Sequence, residues 1–276
     1  GYTVGDAGDK YVYKYTVTLD GAMADGTEIA FTHKHAAKAF SIDATHPDTD
    51  KVWVYCDGEA SSEATCIAKL DTGDTYYYGS IPSEDDVFRT SAFGASATVE
   101  DFYFTKAHDN SVKITDESQM EIGETYVVNA KVAVKIDGKT SNFAITSEIL
   151  YAARPLSMCD LYYIDENGDE VQFNDTWNED YQTYQIGQIH TYTGAPQSLK
   201  VVIKNPANNE TLELGTVYNA FTDDDKGTGE SAEHFAATAT DADWYWTGFN
   251  TPETVDEKAN NYSGYISLSW IIGKAQ

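Results

Sequence analysis

Residues 223–225 are three consecutive aspartates, in "TDDDKGTGE" beside a glycine-rich loop. Hard carboxylate oxygens gathered at one turn are what a calcium ion takes. Asp223, Asp224 and Asp225 are therefore the best candidates for a calcium site, against the alternative of a solvated turn, and no other cofactor is expected. Three more acidic loops occur: "DTGD" at 71–74, "SEDD" at 83–86 and "DENGDE" at 165–170. None has the spacing of an EF-hand, because the glycine of "DENGDE" comes too early and serves a turn. His33 and His35, in "THKH", share a face if that stretch is extended, with His46 further on. A transition-metal site needs a third convergent ligand, so these histidines read as solvated strand positions.

No catalytic signature accompanies these groups. The chain lacks a Ser nucleophile elbow, a His-Glu-x-x-His motif and a phosphate-cradling glycine loop. A pair of carboxylates can cleave glycosides, but among 45 acidic residues any chosen pair is uninformative. The chain is expected not to be an enzyme. Its aromatic side chains offer binding chemistry instead, since Trp53, Trp177, Trp244 and Trp246 are large flat surfaces of the kind sugar rings stack on, and Trp270 is a fifth.

Three cysteines remain. Cys56 ends "KVWVYC" and Cys66 opens "CIAKL", with the turn-rich "DGEASSEAT" between them. The two are expected to join across a hairpin as a disulfide, worth roughly 2–3 kcal/mol for a loop of that size. Cys159 is left over.

The elements that carry these residues are strands. "YVYKYTVTL" at 11–19 and "YISLSWIIG" at 265–273 alternate with period two, and Asp137-Gly138 and Asn167-Gly168 sit between alternating runs as hairpin turns do. Tyr is unusually frequent at 20 residues, and Tyr, Thr and Val favour half-buried pleated surfaces. No segment holds a helical period over three turns. The fold expected is all-β: two tandem antiparallel sandwich domains, Ig-like or pilin-like.

Two segments imply that one unit is written twice. "ATVEDFYFT" at 97–105 returns as "ATDADWYWT" at 239–247, and "EIAFT" at 28–32 returns as "EVQFN" at 170–174, both with the same displacement along the chain. In this reading Phe102 and Phe104 correspond to Trp244 and Trp246 as core residues of equivalent strands. Pro155, in "LYAARPLSMCD", marks the boundary and sets the domains at 1–152 and 153–276. The two-domain layout resembles fimbrial subunits of gut bacteria in architecture, and in no motif.

Charge limits the partners. Formal net charge is −27, and only Arg89 and Arg154 supply guanidinium groups, so nucleic acid and anionic membrane surfaces are disfavoured. No stretch approaches the roughly 20 apolar residues of a membrane span. A first residue of Gly rather than Met fits a removed leader, and the acidic surface fits an extracellular, cation-rich setting. The leading expectation is a structural subunit of an extracellular filament, pilus, sheath or layer. Its partners would be copies of itself, joined by donation of a terminal strand from 11–19 or 265–272. The alternative is a carbohydrate-binding or adhesin module at the cell surface, with glycans as partners.

Overall fold

The structure, a computed structural model, describes residues 2–5, 12–15, 40–43, 50–56, 65–92, 94–136 and 138–275; the side chains of 2–5, 12–15, 40–43, 53–56, 65 and 136 lie outside the description. Its regular structure is mostly strand, with only short single-turn helices between. Residues 1–38 form one unit, in which Tyr2–Gly5 and Val12–Tyr15 pair antiparallel. Residues 39–276 form the other.

Within the larger unit two hydrophobic clusters each fill the space between a pair of sheets. The first cluster has the sheet Phe40–Asp43, Lys51–Cys56, Thr65–Leu70, Val87–Arg89 on one side. On its other side lies the sheet ordered Asp109–Ile114, Ala95–Lys106, Thr125–Ile136, Lys139–Ala152, Thr75–Tyr77. Ile67 and Leu70 from one sheet meet Phe104, Val128, Ile145 and Tyr151 from the other. The second cluster lies between two further sheets. One is Glu170–Gln172, Asp160–Ile164, Val201–Asn205, Glu210–Thr211; the other is Trp177–Asn178, Thr183–Thr191, Tyr265–Gly273, Trp244–Asn250, Asn219–Ala220. Leu161 and Ile203 there face Leu268 and Trp270, all fully buried.

The period-two reading holds in the Tyr265–Gly273 strand. Ile266, Leu268, Trp270 and Ile272 are buried, while Tyr265, Ser267, Ser269 and Ile271 point the other way. The hairpin at Gly138 also forms, with Ile136 opposite Lys139 and Gly138 at φ 76°. Asp165 supports the turn at Gly168 (φ 89°) by accepting from the Asn167 and Asp169 amides.

The all-β expectation holds, with departures in detail. The sheets are not purely antiparallel, because Lys139–Ala152 pairs parallel with Thr75–Tyr77 and Thr183–Thr191 pairs parallel with Tyr265–Gly273. The chain does cross from one core cluster to the other between Tyr151 and Leu156, but residues 39–276 remain one compact unit, with Tyr78 packed against both clusters.

The expected correspondence between Phe102/Phe104 and Trp244/Trp246 does not hold. Phe104 is buried, Phe102 packs against the core and Tyr103 lies outside under Lys113. In the second copy Tyr245 and Thr247 are buried instead, and the tryptophans point out. The inward and outward faces have been exchanged. The other half of the repeat evidence, residues 28–32, lies outside the described residues.

The register also separates the two cysteines expected to bond. Cys66 lies opposite Trp53, three positions along the strand from Cys56, and the Cys66 thiol is free, donating to the Ala68 carbonyl at 3.3 Å. The expected disulfide therefore finds no support, although the side chain of Cys56 lies outside the description. Finally, Tyr265–Gly273 is flanked by partner strands on both sides. A strand that supplies Leu268 and Trp270 to its own core is not available for donation to another copy.

Candidate functional site: an aromatic groove

The outward face of the Tyr265–Gly273 sheet carries a groove of about 640 Å³, within the roughly 300–1,000 Å³ typical of small-ligand sites. Its floor follows from strand register. Gln185 lies opposite Ser269, and Ser269 lies opposite Trp246, so three side chains from three adjacent strands stand in one row. Thr183 and Ser267 form a second row beside it, their hydroxyls 3.4 Å apart. Tyr181, Glu230, Ser231 and Trp244 complete the lining.

Both tryptophans are held in place from behind. The segment His234–Ala236 runs beside the Trp244 strand: the Trp246 amide donates to His234 O and the Ala236 amide to Trp246 O, each at 2.9 Å. This pairing sets His234 over Trp244 and Phe235 against Trp246. The His234 and Trp244 rings stack with centroids 4.1 Å apart and planes 19° from parallel. Phe235 meets Trp246 edge-on at 4.9 Å. Polar groups lock the same rings. His234 Nδ1 lies 2.9 Å from Trp244 O and 3.9 Å from an Asp243 carboxylate oxygen, and Trp246 Nε1 donates to Ser231 O at 2.6 Å. Trp244 nevertheless stays 38% exposed and Tyr181 73% exposed. Trp244 is thus a braced apolar surface offered to solvent beside hydroxyl and amide groups, with the exposed Tyr181 nearby.

On the buried side of the same strand, Tyr245 donates its hydroxyl to Asp241 O at 2.9 Å. Burial first, then the Asp241 and Asp243 charges, raise its pKa. Tyr245 therefore stays a neutral anchor beneath the groove.

The other expected site residues fall elsewhere. Trp177 is exposed, but it pairs with the buried Tyr184 and packs on that ring at 5.0 Å, at an edge of the sheet and on its core side. Trp53 belongs to the strand Lys51–Cys56, and its side chain lies outside the description, as do His33, His35 and His46. Trp270 is core.

Two of the three aspartates of the acidic turn face partners within the turn itself. Asp225 accepts from the Thr222 amide at 2.6 Å and the Thr222 hydroxyl at 2.9 Å, interactions that lower its pKa, while Asp223 faces Lys226 at 3.5 Å. Among the described residues no group of three or more His, Cys, Asp or Glu side chains is arranged to hold a metal ion.

Sequence reasoning did not find Tyr181, Gln185, Glu230, His234, Ser267 or Ser269 as partners of the tryptophans. The alternating serines of "YISLSWIIG" were the available signal, since they mark the polar face of a strand whose other face is core.

No protein-family model matches this chain. No curated protein matches it either. A solved structure of zebrafish RET cadherin-like domains 1 to 4 is similar at 9% identity and a TM-score of 0.17, over 66% of this chain and 42% of that one. The chain thus spans less than half of that protein's length, and a likeness at that score supports no conclusion about function. No helix among the described residues is long and apolar enough to cross a membrane.

Proposed function

We propose that the protein is a non-enzymatic glycan-binding module of an extracellular or cell-surface protein, and that its sugar site is the groove of Trp244 and Trp246. One observation carries the reading: two tryptophans point outward from one strand, braced from behind, beside a floor of Ser, Thr and Gln side chains. A pyranose ring has an apolar C–H face and an equatorial rim of hydroxyls. Indole faces match the first and short hydroxyl or amide side chains the second. Rings that are already fixed lose little side-chain entropy when a ligand arrives. An array of neutral, amino and acidic oligosaccharides tests the proposal, with the Trp244→Ala/Trp246→Ala double variant as control. Retention of at least one class by the wild type and not by the double variant is expected. Absence of binding across the array overturns it.

The alternative, assembly of copies into a surface polymer, draws on residues 1–38 forming a unit of their own with a pair of short strands. Electron microscopy and light scattering of the full chain against a form lacking residues 1–38 decide it. Polymers formed only by the full chain support assembly, and monomers at high concentration oppose it.

A further inference from the structure

Resting on the glycan reading, we infer that the groove selects sugars carrying a free, protonated amine over N-acetylated and over acidic ones, with Glu230 as the selecting residue. Among the described residues the lining holds one formal charge, and it is negative. Of the side chains around the groove, Tyr181, Thr183, Gln185, Ser231, Trp244, Trp246, Ser267 and Ser269 are neutral and Glu230 is a carboxylate.

Glu230 has no hydrogen-bond or ion-pair partner among the described residues. Lys226, in the preceding turn, is directed to Asp223 at 3.5 Å. Asp243, behind the groove, is already directed toward His234. A solvated carboxylate with no protein cation beside it, at the rim of the groove, favours a cationic donor. A charge-assisted hydrogen bond from an ammonium is stronger than the neutral bond an acetamide or hydroxyl could give.

The indole faces favour the same charge. The ring quadrupole presents its negative face to the ligand, so an ammonium near Trp244 or Trp246 gains a cation–π attraction that an acetamido group does not. A uronate or sulfated sugar meets the opposite: no Lys or Arg among the described lining residues, a carboxylate at the rim, and a chain of formal charge −27. The neutral floor still serves every sugar alike, through hydroxyls that read ring substituents. Affinity for sugars in general therefore comes from Trp244, Trp246 and the floor, and discrimination among them from Glu230.

Isothermal titration of the full chain with a glucosamine oligomer, an N-acetylglucosamine oligomer and a uronic-acid oligomer of equal length, at about pH 6 so that the amine is protonated, tests this. The glucosamine oligomer is expected to bind about tenfold more tightly than the N-acetylated one, the margin between a charged and a neutral hydrogen bond. The uronate is expected to bind most weakly. Glu230→Gln should bring the first two within about twofold of each other, mainly by weakening the glucosamine oligomer, because the charge is removed at an exposed position where the fold is not disturbed. Equal wild-type affinities for the amino and N-acetyl oligomers overturn the selection and leave the glycan site standing. A preference that survives Glu230→Gln overturns the role of Glu230. Binding of none of the three oligomers overturns the selection and, with a blank array, the glycan site as well.

Discussion

His234 covers one side of Trp244, ring on ring at 4.1 Å and 19° from parallel, and is itself pinned by the Trp244 carbonyl. A tryptophan at the surface is thereby made rigid without being buried. Binding energy is then spent on the ligand and not on ordering the protein.

Replacing Trp244 should separate binding from folding. Trp244→Ala removes a 38%-exposed side chain and one stacking partner, an interaction worth about 0.5–1.5 kcal/mol. A small loss of stability is expected, together with at least a tenfold fall in affinity for a glucosamine oligomer. Titration calorimetry and urea unfolding on the same sample check the pair. A fall in stability with unchanged affinity would assign Trp244 to structure alone.

The junction between the two core clusters depends on Arg154. This residue is only 7% exposed, and its guanidinium donates to Tyr78 O at 2.8 Å and to Ser80 Oγ at 2.9 Å. Tyr78 in turn meets Tyr262 edge-on at 5.4 Å, and Asn205 donates to the Tyr262 hydroxyl at 3.2 Å. Arg154→Ala leaves the Tyr78 carbonyl without this donor, at a cost of about 1–3 kcal/mol. Urea denaturation should show a lower midpoint, and Arg154→Lys should recover only part of it, because an ammonium cannot span both acceptors as the planar fork does.

How far the sequence discloses this architecture depends on what each residue type excludes. Ser267 and Ser269 alternating with Ile266, Leu268 and Trp270 point to a strand with one wet face, and Gly138 and Gly168 point to tight turns. The strand Trp244–Asn250 carries no such exclusion. Trp, Tyr and Phe are acceptable inside or outside, so "DWYWT" looks like "DFYFT" while facing the other way. The parallel pairings and the offset of Cys66 from Cys56 were equally hidden, because strand direction and register are settled by partners distant in sequence. The groove is half legible: Trp244 and Trp246 stand out by type, and its floor comes from strands whose adjacency only the fold reveals.

Gly248 should tolerate no side chain. A methyl group there would run into the Phe221 ring and the Ile266 carbonyl, and the carbonyl is backbone that cannot swing aside. Gly248→Ala is expected to destabilise by about 1–3 kcal/mol, the usual cost of overpacking. A thermal melt measures it, and an unchanged midpoint would show that the Phe221 ring and the strand move without penalty.

Alkali should weaken the fold before it reaches the arginines and lysines. Burial pushes the Cys159 thiol up to about 12. Burial, followed by a carboxylate partner, raises Tyr151 (beside Glu117) and Tyr262 (beside Glu210). Each group holds its proton in the folded state above the pH at which the unfolded chain releases it, roughly 8.5 for a thiol and 10 for a phenol. Stability from these groups is complete below those values and declines as pH rises toward the folded pKa values. Urea midpoints measured upward from about pH 8 should fall, and Cys159 should resist alkylation until the chain is unfolded. Rapid alkylation of Cys159 in the native protein would contradict its burial.

The exchanged faces of the Trp244 strand also bear on how the chain finds its structure. Sliding this strand by one residue would carry Trp244 and Trp246 inward and Tyr245 outward, and hydrophobicity alone scarcely distinguishes the two settings. The distinction falls to steric and polar proofreading. Phe221 closes over the strand at Gly248, the one position there without a side chain, and Trp246 Nε1 reaches Ser231 O from the outward side. A misthreaded strand would forfeit both. The residues that shape the groove thus double as checks on assembly, and an error at this one strand would erase the binding surface and the core packing together.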